Sequence, residues 1–202
     1  MRRTVAILLF DDVEVLDFAG PFEVFAVTDE LADYQRFRVV TVAAEKRAIR
    51  ARNGLSVNPD HSFADCPRPD ILVVPGGQGT RALLKNQSVL DWIKTVNSGA
   101  EIVTSVCTGS LVLGRAGLLD GQRATTHHEC FALLREHAPR ATVVETDRFT
   151  DNGRLLTAAG ISAGIDLSLH LVARLHGAAA AEKTARYMEY HPATPTATGT
   201  AK

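Results

Sequence analysis

The sequence has few cysteines and no excess of charge of one sign, and each absence argues against a class of protein. The three cysteines, Cys66, Cys107 and Cys130, are odd in number and irregularly spaced, so they form neither a disulfide framework nor a zinc-binding pattern. Free thiols of this kind suggest a reducing compartment. The 22 lysines and arginines are balanced by 23 acidic residues, for a net charge of −1, which argues against nucleic acid as a partner.

Long apolar runs are also missing. The first apolar stretch, Val5–Phe10, is too short for a signal peptide's core plus a cleavage site, and no later stretch is long enough to cross a membrane. We therefore expect a cytoplasmic protein without a membrane partner. The 202 residues are 46% hydrophobic, enough for one sizeable core. We predict a single domain over residues 1–190, followed by a disordered tail at 191–202 that is rich in proline and threonine.

Strand-like and helix-like runs alternate along the chain, which predicts an α/β fold with a mostly parallel sheet. The predicted strands are Val5–Phe10, Phe37–Ala43, Ile71–Pro75, Glu101–Val106 and Thr142–Glu145, with short β structure over Ala51–Asp60 and a hairpin over Arg148–Ala159. The predicted helices are Phe22–Ala32 with Pro21 in its first turn, Gln87–Ser98, His127–His137, Ser162–His176 and Ala178–Tyr190.

Cys107 carries the strongest functional signal. A β-branched run ends at this cysteine, and small residues with helical spacing begin at Thr108. This is the strand–turn–helix pattern of a nucleophile elbow, with sulfur in place of a serine oxygen. The N-terminus of the following helix favours the thiolate and predicts a depressed thiol pKa. The alternative is a buried structural cysteine, which is a common fate of free cysteine.

Three further segments are expected near the sulfur because each follows a predicted strand or lies close behind the elbow. Asp17 is either a helix cap or a carboxyl group desolvated enough to stay protonated beside the thiol. Gly76 and Gly77 form either a plain turn or a loop whose N–H groups bind developing negative charge. His127 can orient or deprotonate the thiol, although it and His128 also read as two partly exposed histidines at a helix start.

Taken together, the motifs resemble the ThiJ/PfpI family of class I glutamine amidotransferase-like proteins, across about residues 4–190. The resemblance is closest to the family's isocyanide hydratase branch, in which aspartate occupies the Asp17 position and threonine follows the nucleophile. The matching segments are Leu16–Pro21, Val74–Gly77, Thr104–Gly109, Ala116–Gly121, Ala124–His127 and Ala159–Asp166. The sequence lacks the histidine that directly follows the cysteine in protease-like members, which counts against peptidase chemistry.

The resemblance implies a flavodoxin-like three-layer α/β sandwich, a homodimer, and no metal or organic cofactor. It also implies that Cys107 attacks an isocyanide while Asp17 protonates the same carbon, so that water releases an N-substituted formamide. Thr108 is expected to bind the Asp17 carboxyl group or the attacking water, and Gly77 to stabilise developing charge. His127 is a possible accessory residue, because family members keep a histidine there without a uniform catalytic role. Residues between Ala26 and Asp33 are expected to shape the substrate pocket.

Two other functions fit the same resemblance. One is a redox or stress-response protein in which Cys107 is oxidised to a sulfinic acid. The other is a ligand-binding regulatory module, because similar domains precede DNA-binding regions in some transcription factors. The slightly acidic charge and the short segment after Tyr190 count against this regulatory function.

Overall fold

The computed structural model of the protein describes residues 2–193. Its strands are β1 Arg3–Leu8, β2 Phe37–Ala43, β3 Ile49–Arg50, β4 Ser56–Val57, β5 His61–Ser62, β6 Ile71–Val74, β7 Ile102–Val106, β8 Arg123–Ala124, β9 Thr142–Val143, β10 Phe149–Asp151 and β11 Leu155–Ala158. Its α-helices are α1 Val15–Glu30, α2 Thr80–Leu83, α3 Gln87–Gly99, α4 Gly109–Arg115, α5 Phe131–His137, α6 Ala163–His176 and α7 Ala178–Tyr187. From position 194 onward, the predicted disordered tail lies outside the described residues.

Seven strands form the central sheet, in the order β10-β11-β7-β6-β1-β2-β5. All neighbours pair in parallel except β10 and β11, which form the predicted antiparallel hairpin. The inner strands β6 and β7 are buried along their whole length, as parallel strands are when helices cover both faces of a sheet. Helices α1, α6 and α7 pack together in one layer, and α2, α3, α4 and α5 form the other. The predicted α/β fold with a mostly parallel sheet is confirmed.

The strand order places a crevice at the centre of the sheet. The chain runs from β1 to β2 on one side, then returns to place β6 on the other side of β1. At such a reversal the connections after the two central strands diverge, and open α/β sheets bind ligands there. Asp17 follows β1, Gly76 follows β6, and Cys107 follows β7. The topology therefore brings these three segments to the same edge.

Two local predictions are corrected. Helix α1 begins at Val15 rather than at Phe22, so Pro21 lies within the helix and Asp17 in its first turn. Proline has no N–H group, so the Asp17 carbonyl receives no helical hydrogen bond from position 21, yet the helix continues through it. The predicted helix from His127 begins instead as a 3₁₀ turn at His128–Cys130, and α5 starts at Phe131.

The segment predicted as short β structure is only partly extended. A 3₁₀ turn at Arg52–Gly54 separates β3 from β4, and these two short strands pair antiparallel outside the central sheet. Asn53 has a φ of 61° and Gly54 a φ of 91°. Positive φ angles of this kind suit an Asn-Gly turn, so the predicted turn is confirmed while most of the predicted strand is not.

Candidate active site

Cys107 lies on a sharp turn between β7 and α4. Its backbone has a φ of 55°, a left-handed conformation that is uncommon for any residue other than glycine. The Cys107 N–H group donates to the Ala158 and Ala159 carbonyls at 3.1 and 2.9 Å. The Cys107 carbonyl accepts from the Thr126 hydroxyl at 2.9 Å and the Ser110 hydroxyl at 3.0 Å. Bonds on both sides of the residue therefore hold the unusual backbone conformation of the elbow.

The turn depends on a close approach between α4 and the end of β6. A Cβ atom placed on Gly109 would lie 2.0 Å from the Val74 carbonyl oxygen. No larger residue fits at this position unless the elbow moves. A Cβ atom on Gly76 would lie 2.5 Å from the Thr108 nitrogen and 2.9 Å from Asp17 Oδ2. Glycine at these two positions thus allows three strand ends to meet around the cysteine.

Asp17 is fully buried, and its carboxyl group lies against the Gly76 backbone. Oδ2 accepts a hydrogen bond from the Gly76 N–H group at 2.9 Å, whereas Oδ1 has no regular hydrogen-bond partner within residues 2–193. The residue that caps α1 is Glu14, and it does so without a side-chain bond. Asp17 is therefore not a helix cap, and its carboxyl group lies close enough to the Cys107 side chain for a hydrogen bond that lowers the pKa of Asp17 against the effect of burial.

Burial raises the pKa of Asp17 from 3.8 to about 7, against the opposing effect of the Gly76 N–H bond. Burial, followed by the negative charge of Asp17, also raises the pKa of the Cys107 thiol to about 12. The expected depression of the thiol pKa is therefore wrong, because desolvation, the largest effect, outweighs the bonds from Thr108 that favour the thiolate. When Asp17 holds a proton, its charge no longer opposes the thiolate. The two groups thus behave as a coupled pair.

The Thr108 hydroxyl contacts Gly77 and Thr80 rather than Asp17. It accepts from the Gly77 N–H group at 3.0 Å, and it lies 3.2 Å from the Thr80 hydroxyl. The predicted bond between Thr108 and Asp17 is absent from the described residues. The N–H groups of Gly76 and Gly77 are also both engaged within the protein, with Asp17 and Thr108 respectively. The glycine loop thus positions the two polar side chains of the site, and its role toward substrate stays a prediction.

His127 lines the crevice, and its ring packs against the Gly160 backbone. Its Nδ1 atom accepts from the Glu129 N–H group at 3.3 Å and lies 3.9 Å from the Glu129 carboxylate. Within the described residues it makes no hydrogen bond to the thiol or to Asp17. The ring of His128 lies beside it, with centroids 4.3 Å apart and planes tilted by 34°, and His128 does not line the crevice. His127 therefore lies in the cavity wall, and its accessory role stays a prediction.

The thiol opens into a cavity of about 180 Å³, although Cys107 itself is only 6% exposed. The other lining residues are Glu14, Arg52, Gly77, Gln78, Arg81, Thr108, His127, Glu129, Cys130 and Ile161. Residues 26–33, expected to shape the pocket, do not line it, because they form the far end of α1 and the loop after it. Cys66 also lies elsewhere, and burial raises its pKa to about 11.

The sequence analysis did not identify three residues that line this cavity. Arg81 follows the glycine loop, and its charge was the only signal that could have drawn attention to it. Ile161 has a φ of 52° and lies in the Ala159–Asp166 segment, which was recognised only as part of the family pattern. Cys130 lines the same cavity as Cys107, although no pattern in the sequence indicated this.

The protein therefore belongs to the class of α/β proteins in which a cysteine elbow and a buried carboxyl group lie together at the central crevice of a mostly parallel sheet. Comparison of the sequence with family models shows which family this is. Residues 3–174 match the DJ-1/PfpI family, and the chain belongs to that family.

The chain is similar to proteins of different activities. It is 40% identical to an isonitrile hydratase of Pseudomonas putida, over 96% of this chain and 82% of that protein. It is 31% identical to the HTH-type transcriptional regulator GbdR of Pseudomonas aeruginosa, over 87% of this chain but only 47% of the regulator. Among solved structures, a ThiJ/PfpI family protein from Pseudomonas syringae superposes with a TM-score of 0.86 at 31% identity, covering 96% of this chain and 78% of that one.

In residues 2–193, none of the helices combines the length and the apolar character that crossing a membrane requires.

Proposed function

We propose that the protein hydrates isocyanides to N-substituted formamides, with Cys107 as the nucleophile and Asp17 as the acid. The observation that carries this proposal is the buried Asp17 carboxyl group, which lies close enough to the Cys107 thiol for a hydrogen bond between the two side chains. An isocyanide needs both a nucleophile and a proton at its terminal carbon. The similarity to an isonitrile hydratase over nearly the whole chain supports the same chemistry.

The first step joins the sulfur to the isocyanide carbon. In the reactive state, the cysteine–aspartate pair holds a single proton, which lies on either the sulfur or the carboxylate. As the S–C bond forms, that proton moves to the same carbon and leaves an uncharged thioimidate and an ionised Asp17. Because the pKa of Asp17 is raised to about 7, this carboxyl group can take up and release a proton near neutral pH, which suits a general acid. Covalent catalysis of this kind divides one difficult hydration into two easier steps.

The second step adds water to the thioimidate. The water oxygen bonds to the carbon, one of its protons is transferred to the nitrogen, and Asp17 in its ionised form is the nearby base that can relay it. The C–S bond then breaks as the hydroxyl proton returns to the cysteine–aspartate pair. The products are the formamide and the regenerated site, so one water is consumed for each isocyanide. Because Gly77 and Thr80 restrain the Thr108 hydroxyl, we assign Thr108 the role of shaping the water position.

The test is a formamide-forming assay with a small panel of alkyl and aryl isocyanides. We expect turnover by the reduced protein and none by Cys107→Ser, because a serine hydroxyl is a poor substitute for a thiolate. Cys66→Ser is the matched control, since Cys66 lies outside the cavity, and it should keep most of the activity. If Cys107→Ser keeps a tenth of the wild-type rate, the covalent mechanism is wrong.

The similarity to the GbdR regulator supports a second candidate, a ligand-binding module without turnover. The two candidates differ in one measurement. A binding module would hold a small ligand in the 180 Å³ cavity and leave every isocyanide unchanged, with binding that survives Cys107→Ser.

A redox protein would be equally inert toward isocyanides, but it would accumulate a uniform Cys107 sulfinate with a higher melting temperature.

A further inference from the structure

Arg81 lies in the wall of the cavity, and its positive charge has no role in the hydration chemistry. It is partly buried in α2, directly after the glycine loop. Its Nη1 atom donates to the Thr80 hydroxyl at 3.1 Å and to the Gly77 carbonyl at 3.3 Å, and its Nη2 atom lies 3.6 Å from Cys130 Sγ. These bonds fix the guanidinium against the same residues that hold Thr108. The position of the charge is therefore set before any ligand binds.

The Arg81 guanidinium has no anionic partner among residues 2–193. Within residues 2–193, no carboxylate lies within 4.0 Å of Arg81. The Nε–H donor and at least one Nη2 N–H donor have no hydrogen-bond partner in the same residues. Arginine presents its donors as a planar fork that matches the two oxygens of a carboxylate. The free donors are therefore suited to an anion from outside the protein.

The cavity wall also contains two carboxylates, those of Glu14 and Glu129. Glu14 pairs with Arg52 at 3.6 Å. Glu129 has a side chain that is 76% exposed, and its carboxylate lies 3.9 Å from His127 Nδ1. With Glu14 paired to Arg52, Arg81 and the exposed Glu129 are the remaining charges of the wall, and Glu129 repels a dianion such as phosphate more strongly than a monoanion. The balance of charge and the small volume together favour a ligand with a single carboxylate.

We infer that Arg81 binds a carboxylate on the substrate, so that the preferred substrates are small isocyanides bearing a carboxylate, such as isocyano acids. This inference rests on the proposed hydratase function for the identity of the reacting group. Arg81 and Cys107 line the same cavity. A substrate carboxylate held by Arg81 would thus direct the isocyano group of a short molecule toward the sulfur. Arg81 is a substrate-binding residue in this account and takes no part in proton transfer.

The first experiment compares two isocyanides that differ in charge. Isocyanoacetate carries the carboxylate, and methyl isocyanoacetate is its neutral ester. We expect the wild-type protein to prefer the carboxylate by at least about tenfold in kcat/KM, a typical effect of one charge-assisted bond. Arg81→Gln should remove the preference mainly through KM for the carboxylate and leave the ester little changed. Arg115→Gln is the control, since it removes an exposed arginine outside the cavity.

These outcomes separate the inference from the proposed function. Hydration of both compounds with no preference, or an equal loss for both in Arg81→Gln, would overturn the carboxylate inference and leave the hydratase function standing. Absence of hydration for every isocyanide would refute the hydratase function. If Arg81→Gln does not fold, Arg81→Lys replaces it. That variant keeps the charge but not the fork, and we expect it to retain only part of the preference.

A second experiment reads the same site without isocyanide turnover. Iodoacetate and iodoacetamide alkylate thiols and differ chiefly in the negative charge. We expect the rate ratio of iodoacetate to iodoacetamide to be at least about tenfold higher at Cys107 than at Cys66 in the same protein. Arg81→Gln should lower the ratio at Cys107 and not at Cys66. Equal ratios at the two cysteines, or a Cys107 ratio unchanged in Arg81→Gln, would overturn the inference whatever reaction the protein catalyses.

Discussion

Replacement of Asp17 by asparagine separates the acid role of this residue from its structural role. Asparagine retains a carbonyl oxygen for the Gly76 N–H bond but cannot deliver a proton. A positioned general acid contributes on the order of 10²–10⁴ in rate, so we expect kcat/KM for an isocyanide to fall at least about a hundredfold. The variant should fold as well as the wild type. Burial of the ionised Asp17 carboxylate destabilises the folded protein, and an uncharged asparagine avoids this destabilisation.

The size of that cost follows from the pKa. A rise from 3.8 to about 7 corresponds to about 4 kcal/mol as an upper value. Because the folded protein holds the proton more tightly than the unfolded chain, the wild-type free energy of unfolding should decrease as the pH rises from about 4 to 7. Asp17→Asn should lack this component and be at least as stable as wild type at pH 8.

Two assays check the prediction: formamide formation, and denaturant unfolding at pH 5 and pH 8 for both proteins. The difference between the two proteins isolates Asp17 from all other carboxylates. Full activity in Asp17→Asn would refute the acid role. A variant that is less stable than wild type at pH 8 would refute the account of a buried, desolvated carboxyl group.

Four further outcomes are expected. Gly109→Ala should destabilise the protein by about 1–3 kcal/mol or more and abolish activity, because its Cβ would lie 2.0 Å from the Val74 carbonyl oxygen; an active variant of unchanged melting temperature would contradict the elbow geometry. Although burial opposes it, the bond from His170 helps to hold the pKa of Asp151 at about 2, so stability should be lost as the pH falls from about 4 to 2, and Asp151→Asn should show a smaller loss in acid unfolding. The family resemblance predicts a homodimer of about twice 21.8 kDa, which analytical ultracentrifugation showing only monomer would contradict. Oxidation of Cys107 to the sulfinate by peroxide should abolish hydration without raising the melting temperature, and a stabilised sulfinate form would favour the redox alternative.

The elbow could be predicted from sequence because its signal is local. A β-branched run that ends at Cys107 and is followed by small residues specifies strand, turn and helix without reference to distant contacts. The hairpin over Arg148–Ala159 was likewise readable from its Asp-Asn-Gly turn. In the same way, the alternation of strands and helices predicted the parallel sheet.

The interior of the site was not readable from sequence, because it depends on contacts between distant segments. Asp17 and Pro21 suggested a helix start, whereas the helix already begins at Val15 and buries Asp17 against the Gly76 loop, 59 residues away. The thiol pKa was predicted from the helix N-terminus alone, and burial reverses it. Arg81 had no local pattern to distinguish it from the protein's other arginines.

The most direct measurement of the central claim is the mass of Cys107 during turnover. The reduced protein is mixed with an isocyanide, quenched within the first turnovers and digested for mass spectrometry. The account predicts a Cys107 peptide heavier by the full mass of the isocyanide, present in wild type, absent in Cys107→Ser and followed by formamide in solution. Formamide that accumulates with Cys107 unmodified at every time point, or with equal rates in Cys107→Ser, would contradict it.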